Sequence, residues 1–243
     1  MLLTDSKAAW GFLTWPTFSF SSYSMVSQLE RQGIEPKTVI DVGANIGQFS
    51  VASKKLFPDA HVYSFEPLPE CIDKLRKNVS RLRDVTVFPV ALGERVGPEQ
   101  FHVNVHSHSS SILPLAPAHQ EAFPEAKQAE TISVETTTLD EVFPLLLLET
   151  PTLLKLDVQG YEANIILGGG EALKKIDYVL METSFKPMYR GETLFLDLVA
   201  LMQKYGFKFL RPIGWLAATK TLEVMQMDAL FVRKDSPCAL NDE

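Results

Sequence analysis

The sequence predicts an α/β fold in which a mainly parallel sheet carries helices on both faces. Three observations predict this class. From residue 37 onward, short apolar segments rich in β-branched residues alternate with amphipathic segments of helical period. The turn DVGANIG, residues 41–47, joins the first of these strands to the helix that follows it. The last two strand segments have no convincing helix between them, which indicates an antiparallel hairpin at one edge.

The composition is that of an ordinary globular domain. Of 243 residues, 46% are hydrophobic and 22% are charged, with a formal net charge of −7. An acidic chain without a dense Lys/Arg run argues against binding to nucleic acid or to an anionic membrane. No apolar run approaches the ~20 residues of a membrane span, and no secretory signal pattern is seen. Two cysteines without metal-ligand spacing suggest a reducing compartment. We therefore expect a cytoplasmic protein; its oligomeric state stays open.

Residues 1–36 are expected to form an N-terminal arm, and residues 37–243 a single domain. Aromatic residues crowd the arm between Trp10 and Tyr23 without a clean helical or strand period. Two interpretations are open, because the arm either packs over the core or acts as a lid over a substrate pocket. A helix is predicted at residues 23–32, with Gly33 as its stop.

The domain then alternates strands and helices. Strands are predicted at residues 37–43, 61–67, 85–93, 152–160, 177–184, 207–214 and 227–234. Helices are predicted at residues 47–56, 69–81, 194–206 and between the fourth and fifth strands, up to about residue 173. Period-two alternation at residues 101–107 and 131–139 predicts a small antiparallel insertion around a Pro- and Ser-rich loop.

The first strand ends in a turn suited to a ligand. In such sheets ligands lie beyond the carboxyl ends of the strands. Gly43 lets the backbone approach a ligand closely, and Gly47 lets the helix start near the sheet, with free N–H groups for an anion. Asp41 can accept from an amine. The spacing is G-x-x-x-G, with Ala44 and Asn45 where a dinucleotide turn has x-G. S-adenosylmethionine, with a carboxylate and an amine, suits this turn; a tight corner without a ligand is the alternative.

The next two strands carry further nucleoside signals. The second ends in SFEP, where the carboxylate of Glu66 can accept both ribose hydroxyls and Pro67 breaks the strand. The third ends in VALGE, where Ala91 and Leu92 can pack on an adenine face. A solvated glutamate and an ordinary core segment are the respective alternatives.

Eight motifs occur in order: DVGANIG, SFEP, VALGE, HSHSSS, TTTLDE, LLKLDVQGYE, YVLMETS and MDALFVRK. Together, over about residues 37–234, they resemble the FkbM family of S-adenosylmethionine-dependent methyltransferases. The resemblance implies a class I methyltransferase fold, a Rossmann-like three-layer sandwich with strand order 3-2-1-4-5-7-6. It also implies O-methylation of a hydroxyl on a sugar, polyketide or similar small-molecule acceptor.

The resemblance also assigns cofactor-binding residues. Those of the first three motifs are Asp41, Gly43, Ala44, Asn45, Gly47, Glu66, Pro67 and Ala91. The family's serine pair falls within Ser109, Ser110 and Ser111, whose hydroxyls would close over the methionine end of the cofactor. A flexible serine-rich loop is the alternative for that segment.

The motif LLKLDVQGYE carries the chemistry. Lys155 and Asp157 share one face of a buried strand, where two charges are costly unless they are paired or placed at the site. Asp157, at the carboxyl end, is the first candidate for the base and also a cofactor contact; a structural ion pair is the alternative. Many relatives have Glu where this chain has Gln159, which weakens a base or metal role there.

Two other candidates serve the same step. His106, with His108 beside it, lies in the loop near the serines and is the second candidate base. A third option joins Asp157 and Glu182 as ligands of Mg²⁺, which would acidify the acceptor hydroxyl. Parallel strands would bring both carboxylates to one rim of the sheet.

Two functions from other classes compete with methyl transfer. One is an NAD-dependent oxidoreductase, disfavoured by the G-x-x-x-G turn with its adjacent aspartate. The other is a non-catalytic binding module on a methyltransferase fold, disfavoured by the presence of Asp41, Glu66 and Asp157.

Overall fold

A computed structural model describes residues 6–104, 109–117, 119, 128–218 and 222–236. The helices are α1 (Ser6–Thr14), α2 (Phe20–Arg31), α3 (Gln48–Leu56), α4 (Pro69–Val79), α5 (Leu139–Val142), α6 (Glu162–Leu167) and α7 (Phe195–Lys204). Two 3₁₀ turns cover Phe143–Leu145 and Ala172–Lys175. In these ranges no helix is long and apolar enough to cross a membrane.

Ten strands form two sheets. They are β1 (Thr38–Val42), β2 (His61–Phe65), β3 (Val85–Phe88), β4 (Ala91–Leu92), β5 (Gly97–Asn104), β6 (Gln128–Thr137), β7 (Thr152–Leu156), β8 (Tyr178–Ser184), β9 (Phe207–Ala217) and β10 (Val224–Arg233). The main sheet has seven strands in the order β3-β2-β1-β7-β8-β10-β9. Counted along the main sheet alone, this is 3-2-1-4-5-7-6, and the predicted fold class is confirmed.

The central strands are buried on both faces, as their apolar sequences require. Every residue of β1 and of β7 is buried, and the two strands pair in parallel with Asp41 opposite Lys155. One face packs against α5, α6 and α7, and the other packs against α2 and α3. Helices on both faces make the predicted three-layer sandwich.

The edge hairpin follows the prediction as well. β10 pairs antiparallel with both β8 and β9, which places Asp228 opposite Glu182. The small insertion is a three-stranded sheet of order β4-β6-β5, in which β5 and β6 are antiparallel.

Two elements differ from the sequence prediction. The third strand is divided, because Pro89 lies between β3 and β4, and β4 joins the insertion. The arm contains α1, although its aromatic spacing showed no helical period. The aromatic rings of the arm contact one another instead of lining one face of a helix. The ring centroid of Phe18 lies 6.0 Å from that of Phe12 and 5.4 Å from that of Trp15. α2 starts at Phe20 because Ser19 caps it, accepting from the N–H of Ser22.

Candidate active site

A cavity of about 410 Å³ opens where the parallel strands of the main sheet end. Its wall runs from the turn after β1 and the end of β2, past the segment before β4, to the end of β7. Beyond β7 it continues to Glu182 on β8 and to the hairpin of β9 and β10, at Leu216 and Gln226. The cavity thus spans the switch in strand order between β1 and β7, where open α/β sheets bind ligands.

The glycine turn is held against the end of β7. Gly43 has φ +75°, and a Cβ placed on it would lie 1.9 Å from the backbone oxygen of Asp157. The glycine is therefore required by this contact, whatever the cavity binds. Gly47 is also left-handed, at φ +92°, and its absent Cβ would meet the side chain of Leu75 on α4. Ala44 is buried against α4 by the same arrangement.

Glu66 is fixed by the turn beside it. The side chain is only 5% exposed and lines the cavity. Its carboxylate accepts from the backbone N–H of Asn45 at 2.8 Å and of Leu68 at 2.9 Å. Burial raises the pKa of Glu66 to about 7, although the two backbone donors oppose that rise. Pro67 and Ala91 line the same part of the cavity, beside this carboxylate.

Asp41 does not line the cavity; its side chain contacts Lys155 and Ser50 instead. The side chain is fully buried, and Oδ2 accepts from the Ser50 hydroxyl at 2.5 Å. Oδ1 lies 3.2 Å from the ammonium of Lys155. The strand alternation explains this position, because Asp41 points to the helix-covered face of β1 and not over its end. Asp41 is not among the residues that line the two cavities, and its contact with a ligand amine stays a prediction.

Lys155 connects the two aspartates. Its ammonium lies 3.2 Å from Asp41, 3.5 Å from Asp157 and 3.4 Å from the carbonyl oxygen of Gly43. Burial alone would lower the pKa of Lys155, but the two carboxylates raise it overall. The predicted pair therefore exists, and its carboxylate Asp157 also lines the cavity.

Gln159 joins the two carboxylates at the end of β7 and β8. Its Nε2 donates to Oδ1 of Asp157 at 2.7 Å and to Oε2 of Glu182 at 2.9 Å. Its Oε1 accepts from the Tyr189 hydroxyl at 2.5 Å. The backbone of Gln159 has φ +60°, an uncommon conformation for a residue other than glycine. The sequence alone gave no sign of this conformation or of the bridge that depends on it.

Glu182 is half-buried and lines the cavity. Burial, and then the negative charge of Asp157, raise the pKa of Glu182 well above its ordinary value. The neighbouring Asp228 has a pKa raised to about 6 by burial and by Asp157. Asp157 lies 3.5 Å from the ammonium of Lys155.

The proposed Mg²⁺ ligands lie together, but their surroundings do not suit a cation. Among the described residues, no three His, Cys, Asp or Glu side chains are arranged to hold a metal ion. The amide N–H groups of Gln159 point at the oxygens of Asp157 and Glu182 that a metal would need.

A second, smaller cavity lies on the other side of the turn. It measures about 180 Å³ and is lined by the turn residues Gly43 to Asn45, by Gln48, and by Lys155 and Asp157. Phe49 and four residues of the arm complete its wall: Ser19, Ser21, Ser22 and Met25. Asn45 and Asp157 line both cavities.

A family model, described as the methyltransferase FkbM domain, matches residues 41–209, well over half of the chain. The chain belongs to the FkbM methyltransferase family. The family predicted from the eight motifs is thereby confirmed, and the matched span contains the turn, Glu66, Asp157 and Glu182.

Two named methyltransferases and one solved structure are similar to this FkbM methyltransferase. It is 30% identical over 184 residues to the 2-O-methyltransferase NoeI of Sinorhizobium fredii, covering 73% of this chain and 74% of that protein. It is 26% identical over 159 residues to the hexuronic acid methyltransferase AglP of Haloferax volcanii, covering 65% of this chain and 60% of that protein. Among solved structures, a Burkholderia thailandensis 1,6-didemethyltoxoflavin-N1-methyltransferase with bound S-adenosylhomocysteine aligns with a TM-score of 0.49 at 10% identity, covering 89% of this chain and 79% of that one.

Some residues of this FkbM methyltransferase lie where the motifs gave no signal. His106 and His108 fall outside the described residues, whereas His119, in the same insertion, lines the large cavity. Burial lowers the pKa of His119, and its ring lies 5.4 Å from that of Tyr189. Ser110 lines the large cavity, and its hydroxyl accepts from the N–H of Asn104 at 2.9 Å; its contact with the methionine end of the cofactor stays a prediction.

Proposed function

We propose that the protein transfers a methyl group from S-adenosylmethionine to a hydroxyl of a small molecule. The observation that carries this proposal is the buried Glu66 carboxylate, held by two backbone N–H groups in the same cavity as Asp157. Family membership supports the transfer reaction, and the relative NoeI is a 2-O-methyltransferase.

The adenosine would lie in the part of the large cavity beside Glu66. A carboxylate at the end of β2 accepts ribose hydroxyls in sheets of this kind. The apolar wall next to it, which includes Phe65, Ala91 and Leu92, offers a surface for a flat base. Tyr161 lines the same part, with its ring against Gly93.

The methionine end would reach the second cavity. Lys155 there offers a cation, and Ser19, Ser21 and Ser22 offer hydroxyls, both of which suit a carboxylate. In this proposal the arm acts as the lid considered from the sequence, and it covers the cofactor instead of the acceptor. The role of Asp41 is to hold Lys155 in position, 3.2 Å away.

When bound, S-adenosylmethionine supplies a methyl group activated by its sulfonium. Asp157 then accepts the proton of the acceptor hydroxyl as the oxygen attacks, which makes the oxygen a better nucleophile. Gln159 holds Asp157 in place through the 2.7 Å hydrogen bond. Glu182 keeps its own proton and donates a hydrogen bond to another oxygen of the acceptor.

The test combines ligand-dependent melting with transfer of a labelled methyl group. Ligand at ~100 times its Kd adds about 2.7 kcal/mol to the free energy of unfolding, and each kcal/mol raises Tm by roughly 2–4 °C at this chain length. We expect a rise of several degrees with S-adenosylmethionine and S-adenosylhomocysteine, none with NAD, and label transfer to hydroxylated small molecules. A rise with NAD alone would support the oxidoreductase. The absence of any rise would support the binding module.

A further inference from the structure

The acceptor half of the large cavity is acidic and rich in hydrogen-bonding groups. Beyond Asp157 its wall carries the amides of Gln159 and Gln226, the carboxyl of Glu182 and the imidazole of His119. The amide N–H groups of Gln159 already donate to Asp157 and Glu182, whereas the carboxyl groups, His119 and Gln226 can form hydrogen bonds with hydroxyls. A wall of this kind suits a molecule with several hydroxyl groups.

The described wall of the cavity carries acidic side chains and no strongly basic ones. Its acidic lining residues are Glu66, Asp157 and Glu182, of which Glu182 keeps its proton, and none of the described lining residues is Lys or Arg. Lys155 lies behind the large cavity, and its charge is already shared between Asp41 and Asp157. An acceptor that brought its own carboxylate would therefore meet like charges with no described cation on the wall to offset them.

The negative charge near the cavity also affects the pKa values of neighbouring acidic groups. The charge of Asp157 opposes the ionisation of Glu182 and of Asp228, and it acts in the same direction on Tyr189. Burial is the first cause of the raised pKa of each group, and the negative charge of Asp157 adds to it. A bound anion would be subject to the same repulsion, without a proton to relieve it.

We propose that the acceptor is a polyhydroxylated molecule without an anionic group, such as a neutral or amino sugar. This inference rests on the proposed methyl transfer to a hydroxyl. It separates this chain from its relative AglP, a hexuronic acid methyltransferase, because a hexuronic acid carries the carboxylate that this cavity repels.

The test uses methyl glycosides that differ only at C6: a hydroxymethyl group, an aminomethyl group or a carboxylate. Each is offered in gluco, manno and galacto form with labelled S-adenosylmethionine. We expect the neutral and amino forms to be methylated with kcat/KM at least about tenfold above that of the carboxylate form. Equal or better use of the carboxylate form would overturn the proposal.

A matched pair of variants connects the preference to this wall. Leu216 lines the cavity and is 42% exposed, so Leu216→Lys adds a cation that the site can accommodate. Its neighbour Trp215 is 67% exposed and does not line the cavity, so Trp215→Lys adds the same charge elsewhere. Leu216→Lys should reduce the discrimination against the carboxylate form, and Trp215→Lys should not. An equal effect of both variants would show that the preference does not arise in the cavity.

The outcomes also separate this inference from the function it rests on. Stabilisation by S-adenosylhomocysteine without transfer to any glycoside would overturn the polyhydroxylated acceptor and leave cofactor binding intact. Failure to bind S-adenosylhomocysteine would overturn the methyltransferase proposal itself.

Discussion

The ammonium of Lys155 lies 3.2 Å from the carboxylate of Asp41, with side-chain exposures of 7% and 0%. The pair joins β1 to β7 just below the glycine turn. Removing one partner of a buried ion pair leaves an uncompensated charge, which costs about 3–5 kcal/mol.

Lys155→Met should therefore lower the free energy of unfolding by about 3–5 kcal/mol, or Tm by roughly 6–20 °C. The double variant with Asp41→Asn should recover much of this loss, because the unpaired charge is gone. Urea or thermal unfolding measures both. Lys174→Met is the control, since Lys174 pairs with Glu171 on the surface and its loss should cost under about 1 kcal/mol. Equal losses for Lys155→Met and Lys174→Met would contradict the assigned role of the pair.

Binding of S-adenosylhomocysteine should become tighter as pH rises from 6 to 8. The pKa of Glu66 is about 7 in the free protein, and ribose hydroxyls bind best to the ionised form. Binding therefore lowers this pKa and releases a proton, so affinity rises with pH until Glu66 is ionised before binding. Calorimetry in two buffers measures both the affinity and the proton release.

Glu66→Gln should weaken binding about 10- to 100-fold and remove this pH dependence, because it loses charge-assisted hydrogen bonds. Glu70→Gln, on the exposed face of α4, makes the same change away from the cavity. It should leave the affinity for S-adenosylhomocysteine and its pH dependence unchanged. If the pH dependence of binding persists in Glu66→Gln, it arises from a group other than Glu66.

Asp157→Asn should keep cofactor affinity and lower kcat about 10²- to 10⁴-fold, because the amide cannot accept the hydroxyl proton. Titration with S-adenosylhomocysteine and single-turnover methyl transfer separate the two effects. Asp73→Asn on the exposed face of α4 removes the same charge elsewhere and should behave as the unmodified protein does. Unchanged turnover in Asp157→Asn would remove Asp157 as the base.

Gln159→Glu should lower turnover below neutral pH, with recovery as pH rises. The variant replaces the bridging N–H donors by a third carboxyl, and the three groups then hold protons more firmly. The acidic limb of the kcat/KM profile should move to higher pH. Gln203→Glu, exposed on α7, is the charge-matched control. A profile that keeps its position would show that Gln159 does not set the protonation of Asp157.

The ligand-free protein should lose stability as pH rises from about 5 to 7. The folded-state pKa is about 7 for Glu66, Glu162 and Glu192, against 4.5 in the reference state, with burial as the first cause. Between these values the folded state holds protons that the unfolded chain has released, so the free energy of unfolding falls with increasing pH. Their contribution is fully present below about pH 4.5 and is lost by about pH 7. Urea unfolding at several pH values tests this; an increase in stability across the window would contradict it.

Much of the fold could be predicted because the strands are short, apolar and β-branched. Parallel strands end at one rim, so Asp157 and Glu182 were expected to meet there, and both line the cavity. The direction of Asp41 could not be predicted in the same way. It depends on its register opposite Lys155, which exists only once β1 and β7 pair.

The remaining site residues had no pattern to reveal them. Gln159 bridges two carboxylates only because its backbone takes a left-handed conformation. His119 comes from the insertion, where neither helical nor strand periodicity marks the residues that face inward. Gln226 and Asp228 could have been noticed, since the predicted hairpin places their strand beside the one that carries Glu182.

The lack of a side chain at Gly43 limits which substitutions this part of the chain can accept during evolution. Because the Asp157 carbonyl occupies that space, the glycine turn and the end of β7 are coupled, and a substitution in either one disturbs the other. Leu216 and Gln226, in the hairpin wall of the cavity, lie on other strands. Substitutions late in the chain can therefore reshape that wall while the glycine turn stays as it is.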